Sequence, residues 1–70
     1  MSATRMMTLG EMIPAEAWPE IRRVIAAGGG AREFKPILAR YRTEMEALGV
    51  LPEYAAHVLE HALMQQWRQS

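Results

Sequence analysis

Prolines and glycines divide this sequence into segments that can each form one helix. The prolines stand within the stretches IPAE, WPEI, KPIL and LPEY. Proline suits the first turn of a helix, where the amide hydrogen that it lacks would have no partner. Glycine suits the end of a helix, and this chain has glycines at positions 28–30 and at position 49. Each proline therefore predicts the start of a helical segment rather than a break within one.

Apolar residues recur at helical spacing between these markers, and no stretch alternates as a strand does. We predict an all-α protein, a small three-helix domain with helices over about residues 19–27, 36–48 and 52–68. Alternative starts are a preceding turn from Pro14 for the first helix and a position near Arg32 for the second. The link between the last two helices is very short, so they should pack as an antiparallel hairpin. Gly49 should end the middle helix, with Val50 folding back onto its last turn.

The chain can form one domain at most, because it has only 70 residues. We assign residues 14–70 to a single helical domain and residues 1–13 to a flexible N-terminal arm. The glycines at positions 28–30 predict a flexible link after the first helix. They do not predict a phosphate-binding loop, since that loop needs a preceding strand and a following Gly-Lys-Ser or Gly-Lys-Thr.

Small size is the main physical constraint on how this domain is stabilised. A core of this size rarely supplies more than about 3–5 kcal/mol, and small proteins often add a disulfide, a metal or a partner. The sequence has no cysteine, which excludes disulfides and thiolate metal sites. The apolar arc of the last helix is also wider than one neighbouring helix covers. These features favour a second polypeptide as the extra support.

We therefore predict a non-catalytic protein–protein interaction module that binds through exposed apolar helix surface, as a homodimer. Methionine suits such a surface because it adapts to several shapes, and exposed apolar area marks an interface. A small regulator, an assembly factor or a phage-encoded inhibitor of a host protein fits this description, in a bacterial or phage setting. The predicted contact residues are Trp18, Leu63, Met64 and Trp67, with Met6, Met7 and Met12 from the arm.

Charge and hydropathy argue against several other classes of function. Eight basic residues balance eight acidic ones and no basic run occurs, so we expect neither nucleic-acid binding by charge alone nor binding to acidic membranes. No apolar run approaches the ~20 residues that span a bilayer. The N-terminus also lacks the apolar block of a secretory signal. We expect a cytoplasmic protein.

The stretch HVLEH, from His57 to His61, resembles the H-x-x-E-H signature of the inverted zinc proteases. The resemblance implies zinc held by the two histidines and Glu60 as a general base. That family also needs a third ligand on another element and a large substrate chamber. Seventy residues without spare acids on another element cannot build such a site. We therefore predict an exposed polar face here, with no catalytic residue and no metal or other cofactor.

The stretch ALGVLPEYAAHVL, from Ala47 to Leu59, resembles helix-turn-helix DNA-binding proteins. The resemblance implies a DNA-binding regulator that uses residues 36–68, with its last helix in the major groove. Met45 departs from the family pattern, which has a small residue at that position. The side chains facing the bases would include two carboxylates and no Arg or Lys, which suits phosphates poorly. These side chains are Glu53, Ala56, His57, Glu60 and His61.

Overall fold

Five α-helices and one 3₁₀ turn make up the regular structure of residues 7–69, the part of the chain that this computed structural model describes. The 3₁₀ turn is Ala15–Ala17, and none of these residues lies in a strand. The all-α prediction is confirmed. The helices are α1 Leu9–Met12, α2 Trp18–Ala26, α3 Ala31–Ala39, α4 Arg42–Ala47 and α5 Pro52–Gln69.

The first described residues form part of the folded body, which differs from the predicted arm. Thr8 and Glu11 form a capping box at the start of α1, in which the Glu11 amide donates to Thr8 Oγ1 over 3.3 Å. Met12 is only 8% exposed and Ile13 is fully buried, and both belong to the core. The flexible arm therefore does not extend through residues 8–13. Burial of Met12 also contradicts its predicted exposure, while Met6 lies outside the described residues.

The middle predicted helix, residues 36–48, is two shorter helices in the structure. It begins at Ala31, one residue before the alternative start near Arg32, and Pro36 lies inside α3 rather than at its start. The amides of Arg40 and Tyr41 donate to carbonyls three residues back, which tightens the chain into a turn. Tyr41 leaves the helical conformation, with φ −107° and ψ 18°, and α4 begins after it.

Glycine ends two of these helices in the same way. Gly28 after α2 and Gly49 after α4 have φ of 81° and 82°, the left-handed region that favours glycine. After α4, the Val50 amide donates to the Met45 carbonyl over 2.9 Å, and both side chains are buried. This is the Schellman arrangement with its apolar contact. The predicted return of Val50 onto the preceding helix is confirmed.

The glycine triplet is a tight connection rather than the flexible link that we predicted. The Gly29 amide donates to the Val24 carbonyl over 2.8 Å, which completes the Schellman end of α2. A Cβ atom on Gly29 would lie 2.5 Å from Val24 Cγ1, and one on Gly30 would lie 3.0 Å from Glu60 Oε2. Close approach by neighbouring side chains therefore fixes glycine at these two positions.

The core lies mainly between α3 and α5. Small residues on α5 let α3 approach closely, since Ala55 and Ala56 are fully buried beside the large side chains of α3. The α2 helix packs on α3, and α1 packs on α5. The other buried members of this core are Met12, Ile13, Ala17, Ile21, Phe34, Ile37, Leu38, Met45, Val50 and Leu59.

Only the first half of α5 belongs to this core. Its buried residues are Pro52, Ala55, Ala56 and Leu59, and the last of them lies eight residues into a helix of 18. Beyond Leu59, exposure of the apolar side chains increases toward the end of the helix. The second half of α5 is therefore the part of the fold that is least covered. No helix within residues 7–69 is both long and apolar enough to cross a membrane.

Candidate interaction groove

An open groove separates the second half of α5 from the turn that follows α2. Its volume is about 650 Å³. One wall is the outer part of α5, and the other is the end of α2 with the glycine turn. The lining residues are Ile25, Gly28, Gly29, Gly30, Glu60, Leu63, Met64, Gln66, Trp67 and Gln69.

The glycine turn forms part of the groove wall. A methyl group at Gly29 or Gly30 would meet Val24 or Glu60 at 3.0 Å or less, so the turn packs tightly on one side. The same three glycines line the groove together with Ile25 and Glu60. The result is a concave surface that a protruding side chain can enter closely.

The α5 wall is apolar and exposed. Leu63 and Trp67 are four residues apart and Met64 and Trp67 are three apart, so all three lie on one side of the helix. Leu63 is half-buried and packs against the core, whereas Met64 is 53% exposed and Trp67 is 85% exposed. A tryptophan buries about 150–250 Å² when it enters an interface or a core. At 85% exposure, most of the Trp67 surface faces solvent.

Glu60 connects the groove to the start of α3. Its Oε2 atom accepts a hydrogen bond from the Ala31 amide over 2.8 Å. Ala31 is the first residue of α3, where amides lack partners within the helix and the helix dipole favours a negative charge. The residue before it, Gly30, has no side chain to provide this cap. A carboxylate from α5 therefore caps α3, and Glu60 has a structural role that the sequence analysis missed.

His57 and His61 lie on the exposed surface of α5, as their helical spacing predicted. The Nε2 atom of His61 is 3.5 Å from Nε2 of Gln65. The glutamate between the two histidines is bound to the amide of Ala31. Within residues 7–69, no three His, Cys, Asp or Glu side chains come together as a metal site.

The surface that a helix-turn-helix protein would use to read DNA is mostly engaged within this fold. Ala56 is fully buried, so its predicted exposure is wrong. Glu53 Oε1 accepts from Arg42 Nη2 over 3.2 Å, which joins the first turn of α5 to α4. Glu60 caps α3 as described above. The two histidines are the exposed side chains that are left from the predicted set.

The predicted contact residues divide into two groups in the structure. Leu63, Met64 and Trp67 line the same groove. Trp18 and Met7 are half-buried and pack against the core, and neither lines the groove. The groove therefore depends on the end of α5 together with a glycine turn that the sequence analysis had not assigned to the site.

A second exposed apolar patch was missed by the sequence analysis. It consists of Leu48, Leu51 and Tyr54, which are 51%, 61% and 57% exposed and lie around the turn between α4 and α5. Helical spacing alone puts Leu48 and Tyr54 in line with apolar residues of their helices, so their exposure could not be read from the sequence. The turn at Arg40 and Tyr41 redirects α4, so that Met45 is fully buried while Leu48 is exposed.

Comparisons with protein-family models, curated proteins and solved structures gave no match to this chain. The fold and the groove define a small all-α protein with an exposed aromatic and apolar surface at one end of its longest helix. A functional conclusion for the chain therefore comes from its own residues.

Proposed function

We propose that this protein is a non-catalytic protein-binding module whose contact surface is the groove beside the second half of α5. The observation that carries the proposal is the 85% exposure of Trp67 on the rim of an apolar groove. An exposed tryptophan is costly to leave in water, and tryptophan is enriched among the residues that dominate binding energy in protein interfaces. Met64 beside it adds an adaptable apolar contact.

The shape and chemistry of the groove favour a protein over a small molecule. Sites for small molecules bury most of the ligand and position a few polar groups around it. This groove is open, and the carboxylate among its lining side chains already bonds to Ala31. The remaining lining groups are apolar side chains, glutamine amides and glycine backbone. Such a surface suits apolar side chains of another polypeptide.

The proposal covers several biological roles, which share the same contact chemistry. A small regulator, an assembly factor or an inhibitor of a host protein would each use an exposed apolar surface of this kind. We propose the cytoplasm of a bacterium, or of a bacterium carrying a phage, as the setting. The lack of cysteine and aspartate in the sequence, with serine only at positions 2 and 70, agrees with a role that needs no nucleophile.

Photo-crosslinking tests the proposal. A photoreactive phenylalanine derivative is introduced at Gln66, which lines the groove, and separately at Thr43, which is exposed and lies outside it. Each variant is irradiated in an extract of the source cells, and the products are identified by mass spectrometry. We expect covalent protein adducts from position 66 in clear excess over position 43. Equal yields from the two positions, or no adduct from either, would contradict the proposal.

A further inference from the structure

The end of α5 extends beyond the helix that supports its first half. Glu60 contacts the first residue of α3, so residues 61–69 continue past that point for nine residues. At 1.5 Å per residue this overhang is about 13 Å long. Leu63 packs against the core, but Met64 and Trp67 on the same side are exposed.

Few side chains of this overhang pack against the core, and Leu63 is one that does. Helices shorter than about 12–15 residues are marginal in water by themselves, because nucleation is unfavourable and stability comes mainly from packing of an apolar face. The first half of α5 nucleates the overhang, and Leu63 supports it at one position. A second layer over Met64 and Trp67 would stabilise the remaining turns.

The same surface contains both a projecting side chain and a cavity that can receive one. Trp67 projects from the α5 wall, and three glycines form part of the wall opposite it. In a two-fold dimer, one surface patch meets an identical patch, so a projection and a recess within that patch can fit reciprocally. We infer that a second copy of this chain occupies the groove, with Trp67 of each copy entering the groove of its partner.

The charges of the groove agree with this occupant. A symmetric contact brings like charges of the two copies together, and Glu60 is the one charged residue among those that line the groove. The charged lining residue, Glu60, is bound to the Ala31 amide. Gln66 and Gln69 are neutral, and each amide both donates and accepts hydrogen bonds. Identical glutamines can therefore pair across a two-fold axis, whereas a partner selected by charge would need a charged rim.

The area of the contact sets the strength of the expected dimer. Two reciprocal tryptophan insertions, with Met64 and Leu63 beside them, bury on the order of 1,000 Å² in total. This value is near the lower limit for specific interfaces, about 1,200 Å². We therefore expect a dimer that dissociates on dilution. The inference rests on the proposed function, since it names the protein that the groove binds.

Sedimentation of matched variants tests the inference. We expect the wild-type chain to show concentration-dependent dimerisation by analytical ultracentrifugation. Trp67→Ala should weaken the dimer at least tenfold, while Trp67→Phe should retain part of the affinity. Leu51→Ala is the control, because Leu51 is 61% exposed but lies outside the groove. It should leave the dimer unchanged, and circular dichroism should show native helix content in all of the variants.

Cysteine crosslinking locates the contact independently. The chain has no cysteine, so Gln66→Cys and Arg22→Cys each provide one thiol, inside and outside the groove respectively. A short bismaleimide should produce a covalent dimer from position 66 and not from position 22. A wild-type chain that sediments as a monomer at every concentration would overturn the inference, and so would a dimer that survives Trp67→Ala.

These outcomes distinguish the inference from the proposed function. If the chain is a monomer but photo-crosslinking at Gln66 yields a different protein, the groove binds another partner and the proposed function stands. If the chain is a monomer and no adduct forms at Gln66, both are wrong. Self-adducts at Gln66 together with loss of the dimer in Trp67→Ala would support both.

Discussion

The carboxylate of Glu60 holds two helices of this protein together. It accepts a hydrogen bond from the first amide of α3 while its own backbone belongs to α5. Residues 28–30 provide no side chain that could replace it, because all three are glycine. Because Glu60 on α5 caps the start of α3, the stability of α3 depends on where α5 packs. This contact therefore contributes to the stability of the groove wall.

Replacing Glu60 should destabilise the fold measurably. Glu60→Ala removes the acceptor and should lower the free energy of unfolding by about 1–2 kcal/mol, the usual range for a lost helix cap or hydrogen bond to a charged group. Glu60→Gln keeps an acceptor and should cost less. Urea denaturation followed by circular dichroism measures both. Glu16→Ala is the control, as Glu16 is exposed in the 3₁₀ turn, and an equal loss there would refute the capping role.

Gly29 should not tolerate even the smallest side chain. A methyl group at this position would lie 2.5 Å from Cγ1 of Val24, a β-branched side chain that has little rotational freedom in a helix. Gly29→Ala should therefore destabilise the protein by about 1–3 kcal/mol, as overpacking does elsewhere. Adding Val24→Ala should recover part of the loss.

Gly10→Ala is the matched comparison for Gly29→Ala. The nearest atom to a new methyl group at Gly10 is 4.0 Å away, and the position is helical. It should be neutral or stabilising by up to about 1 kcal/mol, because alanine is the better helix former. Thermal denaturation of the two variants should show a lower melting temperature for Gly29→Ala than for Gly10→Ala. Similar melting temperatures would show that Val24 moves aside without cost.

Among the helices, the boundaries set by a proline or a glycine within the same segment were predicted correctly. Pro19 and Pro52 lie in the first turns of α2 and α5, and Gly49 ends α4 as expected. The predicted start of the middle helix at Pro36 is wrong, whereas the alternative near Arg32 is one residue from Ala31. Two carboxylates bond to amides at this start, Glu33 to the Gly30 amide and Glu60, 29 residues away, to the Ala31 amide. Once α3 begins at Ala31, Pro36 falls inside it and loses one hydrogen bond rather than starting the helix.

The helix at residues 9–12 was missed although the sequence contained its signal. Thr8 and Glu11 have the three-residue spacing of a capping box, with the apolar pair Met12 and Ile13 directly after it. A helix of four residues gives too short a window for periodicity to detect. The break at Arg40 and Tyr41 had no such signal, since neither residue is a proline or a glycine.

The two halves of α5 should respond differently to truncation of their apolar side chains. Leu59 is buried against the core in the first half, so Leu59→Ala should lower the free energy of unfolding by about 2–4 kcal/mol through lost contacts and a cavity. Met64 is half exposed in the second half, so Met64→Ala should cost about 1 kcal/mol or less in the monomer. Denaturation in dilute solution measures both. Equal losses would mean that the overhang belongs to the core.

Of the two walls of the groove, the sequence predicted the one formed by α5. Leu63, Met64 and Trp67 were predicted from the width of the apolar arc and the length of α5, both of which are local properties. The opposite wall could not be predicted, because it forms only when α2 and α5 come together around the glycine turn. The patch at Leu48, Leu51 and Tyr54 was hidden for the same reason, since it depends on how α4 turns away from α3.

The neutral net charge of the whole molecule argues against DNA binding. Binding to a duplex requires positive groups that displace counterions, and affinity then falls steeply with salt. This chain is neutral overall, and Arg40 and Arg42 near the turn pair with Glu20 and Glu53. We therefore expect no retarded complex in gel-shift assays with genomic fragments at low salt.

Arg42→Ala should change nothing in that assay, since it removes a charge already paired within the protein. A complex that forms at low salt, disappears as salt rises and weakens in Arg42→Ala would instead show that the last two helices do contact phosphate.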